Sequence, residues 1–245
     1  MFYSVCIFSV VVFGFSAAEG LSLPSFVTVC ERNSTSYSNC LKLALEKAWP
    51  EMVKGLPEFD FPPLDPMTYE FGQAVFDINV IHTELNVSNF VFEGMAKTRF
   101  VAVKVDFVDN NFQAVIDVQI PKIVGAGEYK AVGTLAGFRI NSKGTYFNLT
   151  MEGIRGPQII TGHVANDRLI IEHVIVAPSI KNLKVYFDSF NGIKEIDELI
   201  LIFIHEYWPS LFRVALPTLS KVLDPWLCDV ANRFFSKVSF TEIFP

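Results

Sequence analysis

The sequence has no basic run and few groups suited to chemistry. Its 245 residues carry 20 lysines and arginines against 26 aspartates and glutamates, a net charge of -6. An acidic, unclustered surface repels phosphate backbones and anionic membranes, so no nucleic acid partner is expected. No Gly-x-Ser-x-Gly elbow occurs, which removes the usual esterase and lipase signature. His82, His163, His173 and His205 are dispersed along the chain. His205-Glu206 lacks the second histidine of a zinc-protease helix. No cysteine pair has a histidine or a second pair close by, so a zinc site is not indicated. Gly125-Ala126-Gly127 is too short a match for a phosphate loop and reads as a bend in a sheet. Neither an enzyme, a metal site nor a cofactor is expected.

Long uncharged runs are scarce too. Met1 to Ala18 carries no charge, and its apolar stretch Val5 to Phe15 ends in Ser16-Ala17-Ala18. Small residues at those positions suit signal peptidase, so residues 1–18 read as a secretory signal and 19–245 as one mature domain. The positive start of a typical signal is missing. A membrane anchor is the rival reading, but the run is short for a spanning helix and Gly14 interrupts it. No later segment offers eighteen uncharged apolar residues, since Leu199–Ile204 ends at His205-Glu206. The mature chain is therefore expected to be extracellular, soluble and without stable membrane insertion.

Cys6 leaves with the signal. Cys30 and Cys40 are close enough to close a short loop in an oxidising compartment, restricting the unfolded chain by about 2–3 kcal/mol. Cys228 is then unpaired, either a buried free thiol or one half of an intermolecular bridge. Sequons begin at Asn33, Asn86 and Asn148. Each predicts an N-glycosylated asparagine that faces solvent.

Against these absences stands one excess. Hydrophobic residues make up 51% of the chain, with 24 phenylalanines. A soluble body with that content needs either a large packed core or a hollow interior filled by a ligand. Composition does not separate the two.

The hydrophobic period locates the elements. Leu41, Leu45, Ala48 and Met52 fall on one face of a helix over Asn39–Lys54, which Gly55 and Pro57 end. The prolines of Phe61-Pro62-Pro63-Leu64-Asp65-Pro66 force an extended entry into the next segment. From Tyr69 to Phe190 the period becomes two. Val101, Val103, Val105 and Phe107 share a face, as do Phe112, Ala114, Ile116, Val118 and Ile120. So do Phe147, Leu149 and Met151, and Leu183, Val185 and Phe187. Short turns at Asp109-Asn110-Asn111, Asn141-Ser142-Lys143-Gly144, Asn166-Asp167 and Asn191-Gly192 imply antiparallel neighbours. Trp208, Phe212, Ala215, Leu219, Val222 and Trp226 then form one helical stripe. Pro209 suits a helix start, whereas Pro217 and Pro225 should kink the helix. The sheet's dry face is the available cover for this stripe, giving one curved sheet around one long helix. On the residues alone the stripe reads as core sooner than as pocket lining.

Several ordered motifs carry a resemblance. These are Cys30 with Cys40, Gly55-Leu56-Pro57-Glu58-Phe59, Pro62-Pro63-Leu64-Asp65-Pro66-Met67, Asn86-Val87-Ser88-Asn89, Pro121, and Tyr129 with Gly133. Leu183-Lys184-Val185-Tyr186-Phe187, Glu206-Tyr207-Trp208, Ala231-Asn232-Arg233-Phe234-Phe235 and Phe240-Thr241-Glu242-Ile243-Phe244-Pro245 complete the set. Nearly the whole mature chain thereby resembles the takeout / insect juvenile hormone-binding protein family, on the takeout side because only the first cysteine pair is present. His205 stands where the family usually has an asparagine at its helix start.

The resemblance implies an α+β fold, a TULIP-like elongated barrel. In it a long C-terminal helix is wrapped by a highly curved antiparallel sheet that encloses an apolar channel. It also implies a secreted carrier for a juvenile hormone-like terpenoid, a fatty acid or another lipid. The lining candidates are Val103, Phe107, Ile116, Tyr129, Phe147, Phe187, Trp208, Phe212, Leu219 and Trp226. Tyr129, Tyr146 and Tyr207 are available hydroxyl donors. A signalling or partner-binding factor of the takeout type, acting through an unidentified receptor, is the alternative, and a secreted hydrolase is a third.

The signal and the sequons are checked together by intact mass of the chain secreted from insect cells. It should begin at Glu19 and lose mass when N-glycans are removed enzymatically. A secreted chain that retains Met1–Ala18 would defeat the signal reading.

Overall fold

The computed structural model describes residues 21–142 and 145–245; the signal segment lies outside the described residues. The α+β architecture has the expected order. Helix α1 (Tyr37–Met52) comes first, then strands β1 (Met67–Ile78), β2 (Ile81–Glu93), β3 (Arg99–Val108), β4 (Asn111–Leu135), β5 (Phe138–Asn141), β6 (Thr145–Ala165), β7 (Arg168–Val176) and β8 (Asn182–Phe187). Helix α2 (Lys194–Phe235) and the single turn α3 (Phe240–Ile243) end the chain. Every strand pair is antiparallel. The path through the sheet is β1-β2-β4-β6-β7, with β3 and β5 on β4 and β8 on β6.

The sheet is curled. Its two path ends, β1 and β7, both pack on α2. Edges of one sheet can meet a single helix only if the sheet bends round to it, so α2 closes the gap of a half-barrel and faces β4 across the interior. The fold is TULIP-like.

The two longest strands change their dry face half-way. Along β4 the buried positions are Phe112, Ala114, Val118 and Ile120, then Ile123, Tyr129, Ala131 and Leu135. The parity switches at Pro121, which stands opposite Gly153 in the β4–β6 ladder. Proline cannot donate to a ladder, and Gly153 has φ +63°, so regular pairing fails on both strands at one level. A second irregularity corrects the sequence reading. A register shift between Phe100 and Ala102 turns Val101 outward, leaving it 49% exposed, and buries Phe100 instead.

Gly125 and Gly127 do mark a special place in the sheet. A Cβ on Gly127 would stand 2.9 Å from Phe90 Cα, and one on Gly125 would meet the Phe90 ring. The bare backbone makes room for Phe90, which lies against Phe147 with ring centroids 5.2 Å apart.

Helix α2 starts earlier than the stripe implies. It is continuous over 42 residues, with Pro209, Pro217 and Pro225 all inside it. His205 is therefore a mid-helix residue and no cap is lost there. Asp197 fixes the true start. One carboxylate oxygen accepts from the Phe190 and Asn191 N–H groups at 2.9 and 3.0 Å, and the other accepts from the Ser189 hydroxyl at 2.9 Å. An acid in the first turn also complements the helix dipole. By length and composition α2 could cross a bilayer. A search for runs without any charge passes over it, because charged residues are scattered along its length.

Gly127→Val should push β2 away from β4 and lower the midpoint of thermal unfolding. The cost expected of such overpacking is about 1–3 kcal/mol. An unchanged midpoint would show that Phe90 does not need the space.

Candidate functional site: the interior between the helix and the sheet

Both ends of the interior are closed by packed side chains. At one pole Tyr129, Ala131, Leu135, Ile140, Phe147, Phe190 and Ile200 form a dry cluster. Its ring system is Tyr129, Phe147, Phe187 and Phe190, with neighbouring centroids 4.7–6.0 Å apart. The Tyr129 hydroxyl donates to the Ser189 carbonyl and is part of this plug. At the other pole Phe112, Leu169, Ile171 and Cys228 pack on the C-terminal Phe240 and Phe244. Phe107 belongs here, 5.6 and 5.5 Å from the rings of those two phenylalanines. Arg32 lies over Phe107 and Phe240, 5.1 Å from each ring centre. The Cys30–Cys40 disulfide ties down the chain beside it. A third cluster joins α1 to the end of α2 through Val53, Leu56, Phe59, Val230 and Phe234.

Between the poles α2 is only partly covered. From Leu201 to Leu227 no residue is buried, although most side chains on that stretch are apolar. The buried residues of α2 are Ile200 on one side of this run and Cys228, Val230 and Phe234 on the other. Trp208, Phe212 and Leu219 are half-buried and join no packed cluster; Ile116 on β4 is in the same state. Of the ten lining candidates, these four are the partly buried apolar groups that belong to no packed cluster.

The others are placed differently. Val103, Tyr129 and Phe147 are 3%, 2% and 6% exposed, so the protein's own side chains already cover them. Phe107 and Phe187 serve the two end clusters. Trp226 packs edge-on to Tyr69 of β1 at 5.1 Å. Tyr146 and Tyr207 are about half exposed, and Tyr207 rests on Phe203 one turn back along α2. Period two selects the dry face of a strand; it does not separate a plug from a lining. Phe90 was missed because a register shift between Ser88 and Val91 breaks the period around it.

Hydrogen bonds lace α2 to β7. Asn232 acts as a short strand: its Nδ2 donates to the Ile171 carbonyl and its Oδ1 accepts from the Ile171 N–H, both at 2.8 Å. Two turns earlier, Asp224 accepts from the Val174 N–H at 2.6 Å and from His173 Nδ1 at 2.8 Å. The Cys228 thiol also donates to Asp224, at 3.3 Å. Partial burial works to raise the Asp224 pKa, but these hydrogen bonds outweigh it and hold the carboxyl below its ordinary value. Burial, then the bond to Asp224, pushes the Cys228 thiol up to about 11. Cys228 is thus a buried free thiol and is inert as a nucleophile at neutral pH. Among the described residues no group of three His, Cys, Asp or Glu side chains is placed to hold a metal.

The sequon asparagines lie on the surface side. Asn33 is exposed, while Asn86 and Asn148 are half-exposed on the outer faces of β2 and β6.

A family profile described as "Haemolymph juvenile hormone binding protein (JHBP)" matches residues 6–245. The chain belongs to this family. The takeout/JHBP family is one of binding proteins. Among solved structures, Epiphyas postvittana Takeout 1 is similar, with a TM-score of 0.72 at 20% identity over 89% of this chain and 99% of that one. That likeness bears on the fold. A lipopolysaccharide binding protein aligns over 76% of this chain and 36% of its own, with 14% identity and a TM-score of 0.33, too low to carry an argument. No curated protein matches the chain by sequence.

Two outcomes test the lacing. Asn232→Ala leaves both Ile171 backbone groups unpaired, which should cost about 1–3 kcal/mol and raise hydrogen exchange at the Ile171 amide. Asp224 binds its proton less readily folded than unfolded. Its contribution to stability is therefore present above the ordinary value of 3.8 and is lost as pH falls through the lower folded value. Asp224→Asn should flatten that acid arm in a series of melting curves.

Proposed function

We propose that the protein is a secreted, non-enzymatic carrier. It shields one small hydrophobic molecule, a juvenile hormone-like terpenoid, a fatty acid or another lipid, between α2 and the curved sheet. The observation that carries this reading is the stretch Leu201–Leu227, apolar yet without a buried residue, between two closed ends. Exposed singly, such side chains are ordinary; a contiguous apolar run of this kind marks a binding surface. Membership in a family described by its binding of juvenile hormone supports the same reading.

In this proposal Ile116, Trp208, Phe212 and Leu219 line the channel. Val103, Phe107, Tyr129, Phe147, Phe187 and Trp226 wall off its ends and sides. A ligand that buries roughly 400 Å² of apolar surface gains about 10 kcal/mol gross at about 25 cal/mol per Å². Association costs of several kcal/mol leave binding in the micromolar to nanomolar range. The face that makes α2 long and apolar enough for a bilayer is, on this reading, turned to the guest. Stable membrane insertion is then not part of the function.

A melting-temperature series with a juvenile hormone ester, a fatty acid and no addition tests the carrier. A bound ligand at about a hundred times its dissociation constant should add about 2.7 kcal/mol of stability. Leu219→Gln should weaken that gain while leaving the unliganded midpoint nearly unchanged, because Leu219 joins no packed cluster. If no apolar compound shifts the midpoint, and native mass spectrometry of secreted protein shows the bare chain, the carrier reading fails. Recovery of the intact juvenile hormone ester after incubation separates it from a hydrolase.

A further inference from the structure

Resting on the carrier reading, we infer that the ligand is an anionic amphiphile. Its carboxylate is held by Lys221, at a lateral opening between α2 and the end of β7. A cavity of about 380 Å³ lies there, lined by Ile175, Val176, Ala177, Leu216 and Pro217, with Ser220, Lys221 and Asp224 on the helix side. That volume falls in the range of small-molecule pockets, roughly 300–1,000 Å³.

Two charges border this apolar groove, and they differ. Both oxygens of Asp224 are engaged by His173, the Val174 N–H and the Cys228 thiol. Lys221 is exposed and has no ion-pair or hydrogen-bond partner among the described residues. The free charge at the groove is therefore a cation. It suits a carboxylate and offers nothing comparable to a neutral ester. The ammonium and the apolar wall lie on one side of the helix, so a head group at Lys221 leaves its tail along Leu216 and Pro217.

The seam at this point is the part able to open. Side-chain hydrogen bonds tie α2 to the sheet at His205, whose Nε2 donates to the Val185 carbonyl at 2.9 Å, and again at Asp224. Between them no such bond joins α2 to the sheet among the described residues. Pro217 sits in that interval and cannot donate the helical hydrogen bond of its turn. The strand beside it stops at Val176. A tail can pass from the groove to Phe212 and Leu219 by parting apolar contacts alone.

The test uses the mature chain with cis-parinaric acid and its methyl ester as fluorescent probes. The wild-type protein should bind the acid more tightly than the ester by about fivefold, the size expected of one exposed ion pair. Lys221→Gln should abolish that preference by weakening the acid alone, and Lys221→Arg should restore it. Ala177→Trp, which fills the groove from an exposed position, should slow the association of both probes. If both probes bind and Lys221→Gln leaves their ratio unchanged, the inference is overturned while the carrier stands. If neither probe binds the folded wild-type protein while another apolar compound raises its unfolding midpoint, this inference alone is overturned; if no apolar compound does so, the carrier reading falls and this inference with it.

Discussion

The architecture depends on how the free edge of β7 is satisfied. An edge strand presents unpaired N–H and C=O groups that would recruit another strand. Here a helix supplies the partners through side chains. The Asn232 amide completes a two-bond ladder with Ile171, and the Asp224 carboxylate takes the Val174 N–H. A short amide or carboxylate reaches the strand edge without forcing helix and strand apart. Because β7 is held there, and β1 meets the same helix through Tyr69 and Trp226, the sheet must stay curled.

Closure at the ends and openness between them result from the same arrangement. Large rings fill the poles, near the first and last turns of α2. In the middle, from Leu201 to Leu227, no side chain of α2 is fully buried. Ile116, Trp208, Phe212 and Leu219 therefore keep apolar surface that a compact core would have covered. On the carrier reading, a guest that covered this surface would also stabilise the fold, so binding and stability would be two aspects of one quantity.

Much of this was legible in the residues. The order of helix, strands and helix came from the change of hydrophobic period at Tyr69 and near Trp208. The alternation from Phe112 to Ile120 gave the right dry face, and the spacing of Cys30 and Cys40 gave the right bridge. What escaped notice has local causes. The first turns of α2 are organised by Asp197 bonding backward to Phe190 and Asn191, a loop contact with no periodic trace. Val101 and Phe90 sit at register shifts, where period two fails. Tyr129 and Phe147 were indistinguishable from lining because alternation reports which side a residue faces and not what lies opposite. Pro217 and Pro225 suggested a kink or an interruption, yet the helix is continuous through both.

The Pro121–Gly153 level has a consequence for how the chain tolerates change. In an uninterrupted sheet, a one-residue insertion would turn every later side chain inside out. Here the ladder is already broken at one rung across both long strands, so each half of the barrel keeps its own alternation. Length variation near that rung can be absorbed as slack, and the two halves are free to diverge as separate modules around one shared helix.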